Sequence, residues 1–195
     1  MKNINSKLKQ INTYITTNEL ISLGFYNKDI KFLCDTNKLI KIKHGLYRKF
    51  NTKLKEQSFI DISMAIPKGV ICLLSALAYY KLTTFIPKKI NISLPRGIRK
   101  PKEFYQNYQV FYMKDNIYKK NINMVKDGKY YFKIYDIERT ICDCFKYRNK
   151  IGTDILKESF NEYIKLKNKN ISKLIKTAKE LKVEKILTAW LTATV

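Results

Sequence analysis

Residues Asn27–Lys49 read NKDIKFLCDTNKLIKIKHGLYRK. Ile30, Leu33 and Cys34 recur at i, i+3 and i+4, the spacing of one apolar helix face. A helix is therefore expected from Lys28 to about Thr36, capped by Asn27, with Lys28, Lys31 and Asp35 pointing away from that face. Leu39, Ile40 and Ile42 with Lys41 and Lys43 form a partly alternating strand, and Leu46-Tyr47-Arg48 a returning one. His44-Gly45 is the turn between them, where glycine supplies the positive φ a tight hairpin needs. A helix followed by a small basic hairpin is the outline of a winged helix-turn-helix, whose helix enters the DNA major groove while the hairpin lies on the backbone or in the minor groove. A basic helix–hairpin that merely packs on its neighbours would give the same local pattern, so the preceding residues carry weight.

Upstream, Ile4, Leu8, Ile11 and Ile15 recur every three to four residues and predict a helix over Lys2–Tyr14. Thr16-Thr17 offers an N-cap for a second short helix, Asn18–Leu23, with Glu19 in its first turn. Gly24 stops it, and Phe25 is expected to plug the turn. The order is helix, helix, turn, helix, wing. Base-edge candidates then lie at the start of the third helix: Asn27, Lys28 and Lys31. Asparagine can pair bidentately with adenine, and lysine can reach guanine. Lys38, Lys41, Lys43, His44 and Arg48 are expected on phosphates, where they add affinity rather than sequence choice; His44 reads equally as a plain turn residue. Asp35 would repel phosphate and is expected to face away or to orient a lysine.

The chain has 195 residues, enough for one domain or two modest ones, and its 45% hydrophobic content excludes a disordered protein. No apolar run approaches a membrane span, and MKNINSKLKQ lacks the apolar core of a signal peptide. A cytoplasmic protein with no membrane partner is expected. The 39 basic and 16 acidic side chains give a net charge of +23, which points to a polyanion. The basic residues are overwhelmingly lysine, in a chain also rich in Ile and Asn, as an AT-rich coding sequence produces whatever the function. Residues 1–54 hold 11 basic and 3 acidic residues, and the excess continues downstream. Local placement therefore says more than bulk charge.

Asn51–Gln57 is polar and is expected to join two domains, 1–54 and 55–195. Beyond it, Phe59, Ile62 and Ile66 mark a helix ended by Pro67-Lys68-Gly69, and VICLLSALAYY (Val70–Tyr80) reads as a buried helix. Ile90–Leu94, Gln109–Met113, Ile117–Val125 and Lys129–Tyr135 read as strands, with Asp127-Gly128 as a hairpin turn. Asp136 caps a helix whose Arg139 and Asp143 can pair at i, i+4, and three helices follow: Asp154–Lys165, Ser172–Lys182 and Val183–Thr194. The expected class is α+β: an N-terminal winged helix-turn-helix, then a domain with a small, mostly antiparallel sheet and a helical C-terminal half. The loop PRGIRKPK (Pro95–Lys102) presents Arg96, Arg99, Lys100 and Lys102 stiffly beside two prolines. It reads either as a second phosphate or acidic-partner site or as a solvated loop.

No glycine-rich nucleotide loop and no H-E-x-x-H motif is present, and the one histidine lies in the expected wing. Cys34, Cys72, Cys142 and Cys144 lack zinc spacing and read as small core residues. Neither cofactor, metal nor catalytic activity is expected.

Three stretches together resemble the AbiEi family of antitoxin-type transcriptional regulators from type IV toxin–antitoxin and abortive phage-infection systems, over almost the whole length. The first, LIKIKHGLYRK, is similar to the family's G-x-L-x-R-x-x-x-G-x-Y-R pattern, with Asn37-Lys38-Leu39 where glycine often precedes the wing and Lys41 where arginine is common. The second, GVICLLSALAYYKLTTFIPKKINISLPRG, carries Ser75-Ala76-Leu77, Leu82-Thr83 and Ile86-Pro87. The third, IYDIERTICDCFKYRNKIG, carries Asp136, Glu138-Arg139-Thr140, Asp143-Cys144 and Arg148–Gly152. The resemblance implies a winged helix that represses its own operon by binding inverted repeats of operator DNA, and two copies per site would suit the helix-turn-helix geometry. It also implies a C-terminal domain that counters a nucleotidyltransferase-like toxin encoded alongside, without needing a stable complex with it. A stand-alone repressor, or a nucleic-acid-processing enzyme, is the competing expectation.

Overall fold

A computed structural model describes residues 7–8, 11–50, 54, 56–100 and 104–194. It is mixed α and β. The chain divides into two compact units, Met1–Pro67 with Lys100–Gln106, and Lys68–Arg99 with Asn107–Val195. The first boundary falls at Pro67 rather than at 54, so the helix after the polar connector belongs to the N-terminal unit.

In that unit β1 (Tyr14–Thr16) leads into α1 (Thr17–Ser22) and α2 (Asn27–Asp35), followed by β2 (Leu39–Lys43), β3 (Leu46–Lys49) and α3 (Gln57–Ala65). Thr16 caps α1: its hydroxyl accepts from the Glu19 amide at 3.3 Å, and the Glu19 carboxylate accepts from the Thr16 amide at 2.7 Å. This reciprocal box satisfies two amides that the first turn would otherwise leave open. Gly24 and Gly45 have φ of +77° and +75°, as the two turns require.

The strands form an antiparallel sheet in the order β1-β3-β2, with Tyr14 opposite Arg48 and Ile40 on the other side of it. Tyr14 is thus strand, not the end of a first helix, because β3 offers residues 14–16 a ladder; residues 11–13 are not helical either, residues 7–8 are, and the rest of the helix expected over residues 2–14 lies outside the described residues. Ile15 still reaches the core, with Ile11, Leu20, Phe25, Ile30, Leu33 and Leu39.

The second unit holds a five-stranded sheet in the order β6-β5-β4-β8-β7, from β4 (Val70–Ile71), β5 (Ile90–Pro95), β6 (Tyr108–Met113), β7 (Ile122–Asp127) and β8 (Tyr130–Tyr135). The β4–β5 and β7–β8 pairs are antiparallel, whereas β4–β8 and β5–β6 are parallel, so the sheet is mixed rather than mostly antiparallel. Val70–Ile71 is a central strand, and α4 (Leu73–Tyr79) begins only after it. Residues Asp115–Tyr118 form α5, a single turn, so the strand expected from Ile117 begins only at Ile122.

Asp136 caps α6 (Ile137–Lys146) by accepting from the Arg139 amide at 2.8 Å. Then follow α7 (Arg148–Ile151), α8 (Thr153–Lys165), α9 (Ile171–Leu181) and α10 (Glu184–Thr194). Phe145, Phe160 and Trp190 meet edge-to-face with ring centroids 5.2–5.8 Å apart in this helical core. Cys72, Cys142 and Cys144 are buried and Cys34 half-buried, all without disulfides. Among the described residues no helix is long and apolar enough to cross a membrane.

Candidate nucleic-acid interface

The α2 helix is anchored by Ile30 and Leu33, both buried in the N-terminal core. At about 100° per residue, Asn27, Lys28, Lys31, Phe32 and Asp35 fall on the remaining arc, and all five are exposed. The cap is Tyr26 rather than Asn27: its backbone amide donates to the Asp29 carboxylate at 2.9 Å, and the Asp29 amide donates back to the Tyr26 carbonyl at 2.9 Å. Asn27 therefore lies inside the first turn, where it is exposed. Asp35 shares the exposed arc but sits in the last turn, roughly 12 Å along the axis from Asn27. Of the two expectations for it, to face away or to orient a lysine, the first is not met: it shares the arc and is separated from Asn27 by axial distance.

The hairpin presents Lys38, Lys41 and His44 at the surface. Lys43 and Arg48 leave the expected contact set. The Lys43 ammonium donates to the Ala65 carbonyl at the end of α3, at 2.7 Å, where a cation meets the negative end of a helix.

Arg48 is buried, and its Nε lies 3.0 Å from Asp61 Oδ1. Tyr14 Oη donates to the same carboxylate at 2.5 Å, and Tyr105 Oη and Gln106 Nε2 donate to Oδ2. Burial pushes the Asp61 carboxyl up, while the Tyr105 and Tyr14 hydroxyls and Arg48 pull it back. Burial also raises Tyr14 and Tyr105, so both keep their protons. Arg48 is thus a structural tie among β3, β1, α3 and the Lys100–Gln106 segment, and its guanidinium is turned away from solvent. Asp61 lies 13 residues beyond Arg48, in a stretch that reads only as a polar interruption of an apolar helix.

The expected second basic set spans both units. Arg96 and Arg99 are exposed in the C-terminal unit, Lys100 belongs to the N-terminal unit, and Lys102 lies outside the described residues. The C-terminal unit also gathers Arg148, Lys179, Lys182 and Lys185 around a concavity of about 410 Å³, lined as well by Val183 and Ile186. Glu184 in its wall lies 3.4 Å from Lys179. Such a concavity concentrates anions. Its residues come from two sequence regions that spacing alone does not connect.

Sequence reasoning also passed over Tyr26 and Phe32. Tyr26 is 70% exposed, with Lys28 Nζ 5.8 Å from its ring centre, and Phe32 is 39% exposed. The available signal was two aromatics on the polar side of an amphipathic helix. Among the described residues, no three His, Cys, Asp or Glu side chains gather as metal ligands.

Compared with known proteins, the chain matches no family model and no curated protein.

Proposed function

We propose that the N-terminal unit is a winged helix that reads operator DNA and that the chain is the autorepressing antitoxin of a type IV toxin–antitoxin pair. The carrying observation is the order strand, helix, helix, hairpin, with the β1-β3-β2 sheet leaving one arc of α2 outward and bearing Asn27, Lys28 and Lys31. That arc presents the side chains that pair with adenine and guanine edges, and Lys38, Lys41 and His44 supply cationic or hydrogen-bonding contacts to the backbone. The reading of the C-terminal unit as the part that counters a nucleotidyltransferase-like toxin rests on the sequence resemblance carried by Ser75-Ala76-Leu77, Ile86-Pro87 and Asp136–Gly152. Neither role calls for a cofactor or for catalysis by this chain.

The test is made in cells. A reporter driven by the DNA upstream of the gene is repressed by the wild-type chain and released by Asn27→Ala with Lys31→Ala. Co-expression with a nucleotidyltransferase-type product of the adjacent reading frame restores growth, also in the derepressing variant. Unrepressed reporter expression contradicts the operator reading; repression without rescue of growth leaves a repressor and contradicts the antitoxin role.

A further inference from the structure

The outward arc of α2 is not purely polar. Phe32 shares it with Asn27, Lys28 and Lys31, and Tyr26 stands at its head.

 At 70% exposure, its ring is the most open of the described aromatic side chains. Its backbone is fixed by the paired bonds with Asp29, and Lys28 lies over the ring, so it is held at the entrance of the helix rather than folded into the core. Leaving two large apolar rings in water beside four polar side chains is unfavourable, and it makes sense on a surface that meets apolar groups when bound.

In the major groove only one base edge is apolar, the C5-methyl group of thymine. Asparagine beside it selects adenine, the partner base. We infer that Tyr26 and Phe32 contact thymine methyl groups and that, with Asn27, they make α2 a reader of A·T pairs. This rests on the operator reading above and names the bases that the same face selects.

The test removes the methyl groups and nothing else. The upstream fragment is synthesised once with thymine and once with uracil throughout, and a scrambled fragment is made in both forms to correct for general affinity. One buried methyl is worth about fourfold in binding, so two or more predict about tenfold or greater weakening of the uracil operator. In Tyr26→Ala and Phe32→Ala together, the thymine and uracil operators bind alike. Equal binding of both forms by the wild-type chain, with the operator still preferred over the scrambled fragment, overturns this inference and leaves the operator reading intact. So does a double variant that loses affinity but keeps the wild-type thymine-to-uracil ratio, which would assign the rings to another contact, such as a second copy of the chain. Failure to prefer the operator at all is the separate outcome that removes the operator reading, and this inference with it.

Discussion

Arg48 and Asp61 form a buried ion pair, with Nε 3.0 Å from Oδ1 and side chains 5% and 0% exposed. The pair joins the returning strand of the hairpin to α3, and Tyr14, Tyr105 and Gln106 also donate to the carboxylate. Removing one partner of such a pair leaves an uncompensated charge in the interior, at a cost of about 3–5 kcal/mol. Arg48→Ala is therefore expected to destabilise the N-terminal unit by that order, whereas Lys41→Ala, on an exposed strand position, is expected to change stability by less than about 0.5 kcal/mol. Urea unfolding of the two variants checks this. Similar small losses in both would place Arg48 at the surface after all.

The same distinction governs DNA binding. Lys41→Ala should weaken operator and scrambled DNA alike and reduce the salt slope by roughly 0.9, the contribution of one neutralised phosphate. Asn27→Ala should change which bases are preferred while leaving that slope in place. A binding-site selection with each variant, followed by titration at several salt concentrations, separates the two effects. If both variants lose only general affinity, α2 is not the reading helix.

Asp143 supplies a pH signature. Its Oδ2 lies 2.9 Å from Arg139 Nε, and among the described residues Oδ1 has no hydrogen-bond partner. Burial pushes its carboxyl up to about 6, although Arg139 pulls it down. An unfolded aspartate titrates near 3.9, so between those values the folded chain holds the extra proton and this group's contribution to stability falls as pH rises. Acidifying from pH 7 to 5 should thus favour the wild-type chain over Asp143→Asn by about 1 kcal/mol. Denaturant unfolding of both proteins at the two pH values measures it, and a pH-independent difference would mean the carboxylate stays ionised throughout.

Glu158 on α8 fastens the loop after α4. It accepts from the Thr83 hydroxyl at 2.6 Å and from the Thr84 amide and hydroxyl, each at 2.8 Å. These bonds, the Thr83 hydroxyl foremost, hold its carboxyl below the usual range. The stabilisation is present above the unfolded value near 4.3 and is lost as pH falls through the lower folded value. Glu158→Ala should accelerate hydrogen exchange at the Thr84 amide with little effect in α6. Unchanged exchange at Thr84 would show that the carboxylate does not restrain the loop.

Local signals made much of this architecture legible. Thr16 with Glu19, His44-Gly45, Asp127-Gly128 and Asp136 are turn or cap chemistries whose partners lie within a few residues, so the sequence exposes them directly. The run VICLLSALAYY was harder: a continuous apolar stretch has no period to separate strand from helix, and its division at Cys72 comes from the β5 and β8 ladders on either side of Val70–Ile71. Tyr14 and Ile15 likewise became strand through β3, a partner more than thirty residues away. The candidate interface shows the same limit. Asn27, Lys28 and Lys31 follow from helical spacing, but the inward turn of Arg48 depends on Asp61 and Tyr105, and that of Lys43 on the end of α3.

On the proposed reading, α2 and the hairpin bind a particular DNA sequence. The most direct measurement is equilibrium binding of the purified full chain to the duplex upstream of its own gene and to a scrambled duplex of equal composition, across a salt series. A preference of roughly a thousandfold for the upstream duplex is expected, persisting as both affinities fall with salt. Equal and steeply salt-dependent binding to the two duplexes would contradict it and assign the interaction to the net charge of +23 alone.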